Sequence, residues 1–123
     1  VLWNLMLDDK RGPYSRHDGS CKTCYGGVTI NSADYKTIVK NSHWFDCAHA
    51  SVALKPGARR MKIKTFDLPS GLEIQMYLNT DNTVGVLICN NSSKEQDFVF
   101  ASTKQTVKYK VPARSIASLL WQE

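Results

Sequence analysis

No apolar run in this 123-residue chain approaches the ~18–20 residues needed to span a bilayer. No secretory signal opens it, and any targeting signal is expected upstream of these residues. It has no internal repeat and no low-complexity tract. Glutamate is scarce, with only Glu73, Glu95 and Glu123. That scarcity bears on any reaction that needs a convergent pair of carboxyl groups. Cysteine is limited to Cys21, Cys24, Cys47 and Cys89. One C-x-x-C pair without a second at matching spacing does not make a zinc site. His43 and His49 have no metal-ligand partner spaced to join them, so they read as helix residues with local hydrogen bonds. We expect no metal and no cofactor.

Apolar residues make up 42% of the chain and charged residues 22%, so it can fold. The net charge of +5 raises nucleic-acid binding as a hypothesis. The arrangement of charge argues against it. Arg60, Lys62 and Lys64 alternate with Met61 and Ile63, and Lys108 and Lys110 alternate with Val107, Tyr109 and Val111. This is the pattern of strands with one solvated face.

Residues 1–7 are almost continuously apolar apart from Asn4, which suits a strand buried on both faces in a parallel sheet. A run this apolar at a free terminus reads as a cut inside a larger protein. A polar stretch from Asp8 to Pro13 ends it, and residues 14–27 form a long loop. The loop contains Cys21 and Cys24, either as a disulfide or as free thiols. Val28-Thr29-Ile30 is a candidate short strand. Asn41 or Ser42 can cap a helix over residues 42–54. Phe45, Ala48, His49 and Val52 share one face of that helix, and Lys55-Pro56-Gly57 stops it. Cys47 and Cys89 read as small buried hydrophobes.

After Pro56 the apolar period changes from 3.6 to 2. Strands are expected over residues 58–65, 72–78, 84–89, 98–100, 106–111 and 115–120, with 84–89 central because it is apolar on both faces. Short strands joined by polar turns point to an antiparallel β-sandwich. The chain thus divides into a strand–loop–helix segment, residues 1–55, and an all-β segment, residues 56–123. Asn90-Asn91-Ser92-Ser93 contains overlapping N-glycosylation acceptors.

This order, with Leu2-Trp3-Asn4-Leu5 at one end, Lys55-Pro56-Gly57-Ala58-Arg59-Arg60 in the middle and Val111-Pro112-Ala113-Arg114-Ser115-Ile116-Ala117-Ser118-Leu119-Leu120-Trp121 at the other, resembles the end of glycoside hydrolase family 30. That family includes lysosomal glucosylceramidases and microbial β-1,6-glucanases. The resemblance implies a (β/α)8 barrel beside a β-sandwich. Residues 1–7 would be the last barrel strand and 42–54 its helix, with the sandwich beginning at 58. A strand from before the barrel would also join the sandwich. It further implies a retaining β-glycosidase, a carbohydrate substrate and an extracytoplasmic location (secreted, periplasmic or lysosome-like).

The retaining mechanism needs two carboxyl groups about 5–5.5 Å apart. In the family both are Glu, on barrel strands four and seven, so this chain is expected to lack them. Glu73 falls on a solvated strand face and Glu95 in a turn. Asp8 and Asp9 are adjacent and would point to opposite faces of a strand. What remains here is part of the sugar pocket. Trp3 matches a family Trp that lines it and offers an apolar ring face. Asn4 is a further candidate, followed by His17 and Asp18 in the loop above. The competing reading is a carbohydrate-binding sandwich presenting Tyr77 or Tyr109, or an adhesion-type module.

Overall fold

The computed structural model describes residues 4–13, 21–102 and 104–122. Among these the chain is mainly β, with one helix. It divides into two compact units, Val1–Cys47 and Ala48–Glu123, and the boundary falls inside the helix.

The first unit holds a three-stranded sheet in the order β1-β2-β3: β1 (Met6–Asp8), β2 (Val28–Ile30) and β3 (Ile38–Lys40). β1 and β2 are parallel, with Met6 opposite Val28 and Asp8 opposite Ile30. β2 and β3 form an antiparallel hairpin. The expected strand at 28–30 is present. The hairpin partner at 38–40 was not anticipated, so the segment reads strand, loop, hairpin, helix. Leu7 is buried, but Leu5 and Met6 are exposed, so burial on both faces does not hold within this chain.

Helix α1 (Ser42–Ala53) begins after Asn41. The Asn41 side chain turns back onto β2 and the glycine before it. Its Nδ2 donates to the Gly26 carbonyl at 2.8 Å and to Thr29 Oγ1 at 2.9 Å. The predicted apolar face of the helix is not its buried face here. Phe45 and Val52 are exposed, and Ala53 is the buried helix residue. Cys47 is also exposed and Cys89 half-buried, so neither is the buried hydrophobe expected. Small side chains near the helix C-terminus decide the packing, because they allow backbone to approach backbone.

The second unit is an antiparallel β-sandwich. One sheet has the order β4-β5-β6-β9: β4 (Arg59–Arg60), β5 (Leu72–Leu78), β6 (Thr83–Asn90) and β9 (Ser115–Gln122). The other holds β7 (Gln96–Ala101) and β8 (Thr106–Val111). Period-2 alternation places the core. Leu72, Ile74, Met76 and Leu78 of β5 lie beside Val84, Val86 and Ile88 of β6 through the pairs Ile74–Ile88, Met76–Val86 and Leu78–Val84. Ala117, Leu119 and Trp121 of β9 extend that face. Phe98, Phe100, Tyr109 and Val111 close it from the second sheet. The rings of Phe100 and Trp121 meet at 4.9 Å.

β6 is central, as its two-faced apolar pattern predicts. The strand expected over 58–65 shortens to Arg59–Arg60. Beyond Arg60 the chain donates once more, from Met61 N–H to the Met76 carbonyl at 2.8 Å, and then leaves the sheet. Alternation survives without pairing there: Met61 and Ile63 pack against the core while Lys62 and Lys64 are exposed.

Candidate functional site

The candidate region lies along β1 and the loops that meet it. Trp3, His17 and Asp18 lie outside the described residues. Asn4 is half-buried just before β1. Its carbonyl accepts from Gly27 N–H at 3.2 Å, and the Leu5 carbonyl accepts from Val28 N–H at 3.0 Å. Gly26 permits this approach. A Cβ there would stand 2.9 Å from the Met6 backbone nitrogen, closer than a side chain tolerates. The Gly26-Gly27 pair therefore seats the second loop directly on the backbone of residues 4–6.

The carboxylates at the end of β1 are spent on local structure. Asp8 Oδ1 accepts from Gly12 N–H at 2.6 Å, closing the turn that follows the strand. Asp9 Oδ1 accepts from Ser32 N–H at 2.8 Å, which fastens the β2–β3 hairpin to β1. Hydrogen bonding from the Ser32 side chain, and then from its N–H, holds the Asp9 carboxyl below its ordinary pKa. Arg11 Nη1 donates to the Lys22 carbonyl at 3.2 Å, tying this turn to the loop closed by the Cys21–Cys24 disulfide. The open question of those two thiols is thus answered by a bond, with Cα atoms 5.5 Å apart.

Neither described glutamate has a carboxylate partner. Glu73 is exposed on β5 and accepts from Asn91 Nδ2 at 3.3 Å. Glu95 is exposed beside β7 and pairs with Lys110 at 3.2 Å. Glu123 lies outside the described residues. Among the described residues no group of three or more His, Cys, Asp or Glu is placed to hold a metal ion. No described helix is long and apolar enough to cross a membrane. His49 Nδ1 lies 3.0 Å from Ser118 Oγ, a helix-to-sheet tie within the second unit. His43 meets the Tyr25 ring edge-on at 5.0 Å and Ser42 Oγ at 3.2 Å, within the first. Tyr77 and Tyr109 are half-buried, and Tyr109 packs against the core.

Two buried asparagines escaped the sequence reading. Asn79, 3% exposed, takes the end of α1 in hand: Nδ2 donates to the Ala53 carbonyl at 3.2 Å, and Oδ1 accepts from Lys55 N–H at 2.9 Å. Asn90, 1% exposed, donates from Nδ2 to the carbonyls of Lys94, Val111 and Pro112 and accepts from Ser92. Their positions at strand ends beside polar turns read as turn residues. Only the fold shows that these two side chains are interior while the turns around them are exposed. Of the overlapping glycosylation acceptors, Asn91 is exposed and Asn90 is enclosed.

The tip of the β2–β3 hairpin was also missed. Tyr35 there has a φ of 52° and is 71% exposed. Asp34 braces it, accepting from Lys36 N–H, Thr37 N–H and Thr37 Oγ1. The Thr37 hydroxyl holds the Asp34 carboxyl below its ordinary pKa. The Asn-Ser-Ala-Asp sequence was the available signal, since Asn and Asp favour turns closed by their own side chains.

Comparisons with known proteins agree with this architecture. A family model described as the glycosyl hydrolase family 30 beta sandwich domain matches residues 57–119. Among solved structures, an endo-β1,6-glucanase superposes with a TM-score of 0.89 at 40% identity, over 98% of this chain and 26% of that one. SrfJ from Salmonella typhimurium superposes with a TM-score of 0.81 at 22% identity, over 97% of this chain and 25% of that one, a likeness of fold. No curated protein matches the chain. The chain spans about a quarter of the length of the solved structures it matches. With the sandwich, its core and the family's model in register over residues 57–119, the chain belongs to glycosyl hydrolase family 30.

Proposed function

We propose that this chain is the C-terminal part of a retaining β-glycosidase that acts on β-linked glucosides or related glycans. Residues 1–55 end a (β/α)8 barrel, and the sandwich is the scaffold beside it. The observation that carries the reading is the pairing of a family 30 sandwich with carboxylates committed elsewhere: Glu73 to Asn91, Glu95 to Lys110, Asp8 to Gly12 and Asp9 to Ser32. The nucleophile and the acid/base are Glu residues carried by the rest of the protein. One attacks the anomeric carbon while the other protonates the leaving oxygen. Water then hydrolyses the glycosyl-enzyme with the second residue acting as base.

Barrel active sites open at the C-terminal ends of the strands. Trp3 provides an apolar floor for the sugar ring and Asn4 a polar contact beside it, with His17 and Asp18 in the loop above. The 40%-identical endo-β1,6-glucanase supports a β-1,6-glucan as substrate. Barrel packing is supported by the outer face of the four-stranded sheet, where Leu87, Cys89 and Ile116 are half-buried and Leu120 exposed. The second sheet has two strands among the described residues, which leaves room for a strand from elsewhere in the protein. An extracytoplasmic location is supported by the Cys21–Cys24 disulfide, because such bonds persist in oxidising compartments.

The test is stereochemical. Proton NMR of the longer protein acting on an aryl β-glucoside should show the β-anomer released first. The α-anomer appearing first would contradict a retaining mechanism.

A further inference from the structure

We propose that Tyr35 is a stacking platform for a sugar ring of the glycan chain, at a distance from the bond that is cut. This rests on the hydrolase reading above and extends it to a subsite on the β2–β3 hairpin.

β2 runs parallel to β1, with Ile30 opposite Asp8, so residues 31–37 continue past the C-terminal end of β1. If β1 continues a barrel strand, that is the side on which barrel enzymes bind substrate. The hairpin is fixed there by Asp9, whose N–H donates to the Ile30 carbonyl at 2.9 Å and whose carboxylate accepts from Ser32 N–H.

The tip is rigid by its own bonds. Asn31 N–H donates to the Thr37 carbonyl at 2.9 Å, and Tyr35 N–H to the Asn31 carbonyl at 2.8 Å. Ala33 N–H donates to Asn31 Oδ1 at 2.8 Å, and Lys36 N–H to Asp34 Oδ1 at 2.8 Å. In this frame Tyr35 sits in the left-handed region, at a φ of 52°, with 71% of its surface exposed. Bulky residues avoid that backbone region, which Gly, Asn and Asp enter readily. An exposed aromatic is ordinary by itself. An exposed aromatic held in a backbone conformation that disfavours it calls for a use of the ring. Strain of this kind gathers at ligand-binding positions. A phenol ring gives an apolar face for the C–H side of a pyranose and a hydroxyl for its polar edge. Because the tip is already ordered, little freedom is lost when the sugar docks.

The test uses the longer protein, a polymeric β-1,6-glucan and an aryl β-glucoside too short to reach the hairpin. Affinity electrophoresis in the cold reads the polymer Kd for wild type, Tyr35→Ala, Tyr35→Asn and Tyr35→Phe, and steady-state kinetics reads both substrates. Loss of the ring in Tyr35→Ala and Tyr35→Asn should raise the polymer Kd about tenfold. It should raise the ratio of polymer KM to aryl-glucoside KM by the same factor, while Tyr35→Phe keeps both near wild type. Tyr35→Asn suits the left-handed backbone, so its melting temperature should equal or exceed wild type. That keeps a folding defect from passing for lost binding. A polymer Kd unmoved by Tyr35→Ala and Tyr35→Asn, or a wild type that does not bind the polymer, overturns the platform. A protein that hydrolyses neither substrate but loses polymer affinity with the ring overturns the hydrolase reading and leaves the platform standing.

Discussion

The carbonyl of Ala53 rests on Gly85: a Cβ built at Gly85 would stand 1.8 Å from that oxygen. The end of α1 therefore lies directly against the backbone of β6, and the absent side chain is what admits it. Gly85→Ala must push the helix end away or bend the strand. Overpacking of this kind costs about 3 kcal/mol, with more where backbone meets backbone. Urea unfolding should show a midpoint well below wild type. A wild-type midpoint would mean that the helix end is not held there.

Asn90 connects the turn after β6 to the end of β8 by giving one amide nitrogen to three carbonyls, those of Lys94, Val111 and Pro112. Asn90→Ala removes the amide that donates to the buried Val111 carbonyl, while Ser92 Oγ and Ser115 Oγ still reach the carbonyls of Lys94 and Pro112, and an unmet buried group costs about 1–3 kcal/mol. Asn90→Asp is expected to be worse, because a carboxylate oxygen would then face those carbonyls. Chemical denaturation of both variants checks the order, Asn90→Asp below Asn90→Ala below wild type.

The Lys55–Asp81 ion pair gives a pH dependence of known sign. Hydrogen bonding from Lys55, then from Thr83, lowers the Asp81 carboxyl to about 2. The folded value lies below the unfolded one, which is about 3.9. The pair's contribution is therefore present above about pH 4 and fades as pH falls toward about 2. It is small, because both side chains face solvent. Thermal melts between about pH 5 and pH 2 should show Asp81→Asn losing less stability on acidification than wild type. An identical slope for the two would remove Asp81 from the acid response.

The sandwich was legible in the sequence because period-2 alternation and burial on one face are the same fact seen twice. Leu72, Met76, Val84, Val86 and Ile88 fall inside as their spacing requires. Residues 61–65 show the limit of that logic. They alternate, yet pair only through Met61, since alternation reports which side is covered and not whether a neighbouring strand bonds. The β3 strand was hidden because Ile38, Val39 and Lys40 are all exposed here, so no buried face marks it. Buried Asn79 and Asn90 have the same composition as surface turn residues, and only long-range carbonyls distinguish them. Of the candidate sugar-pocket residues, Asn4 lies among the described residues, and its carbonyl accepts from Gly27 N–H.

The central claim is that this chain supports a hydrolase while the reacting carboxylates are carried elsewhere in the protein. Turnover of an aryl β-glucoside by the 123-residue chain, measured beside the longer protein that contains it, tests this most directly. The account predicts release of aglycone by the longer protein and none by the chain. Turnover by the chain, or its absence from the longer protein, would contradict it.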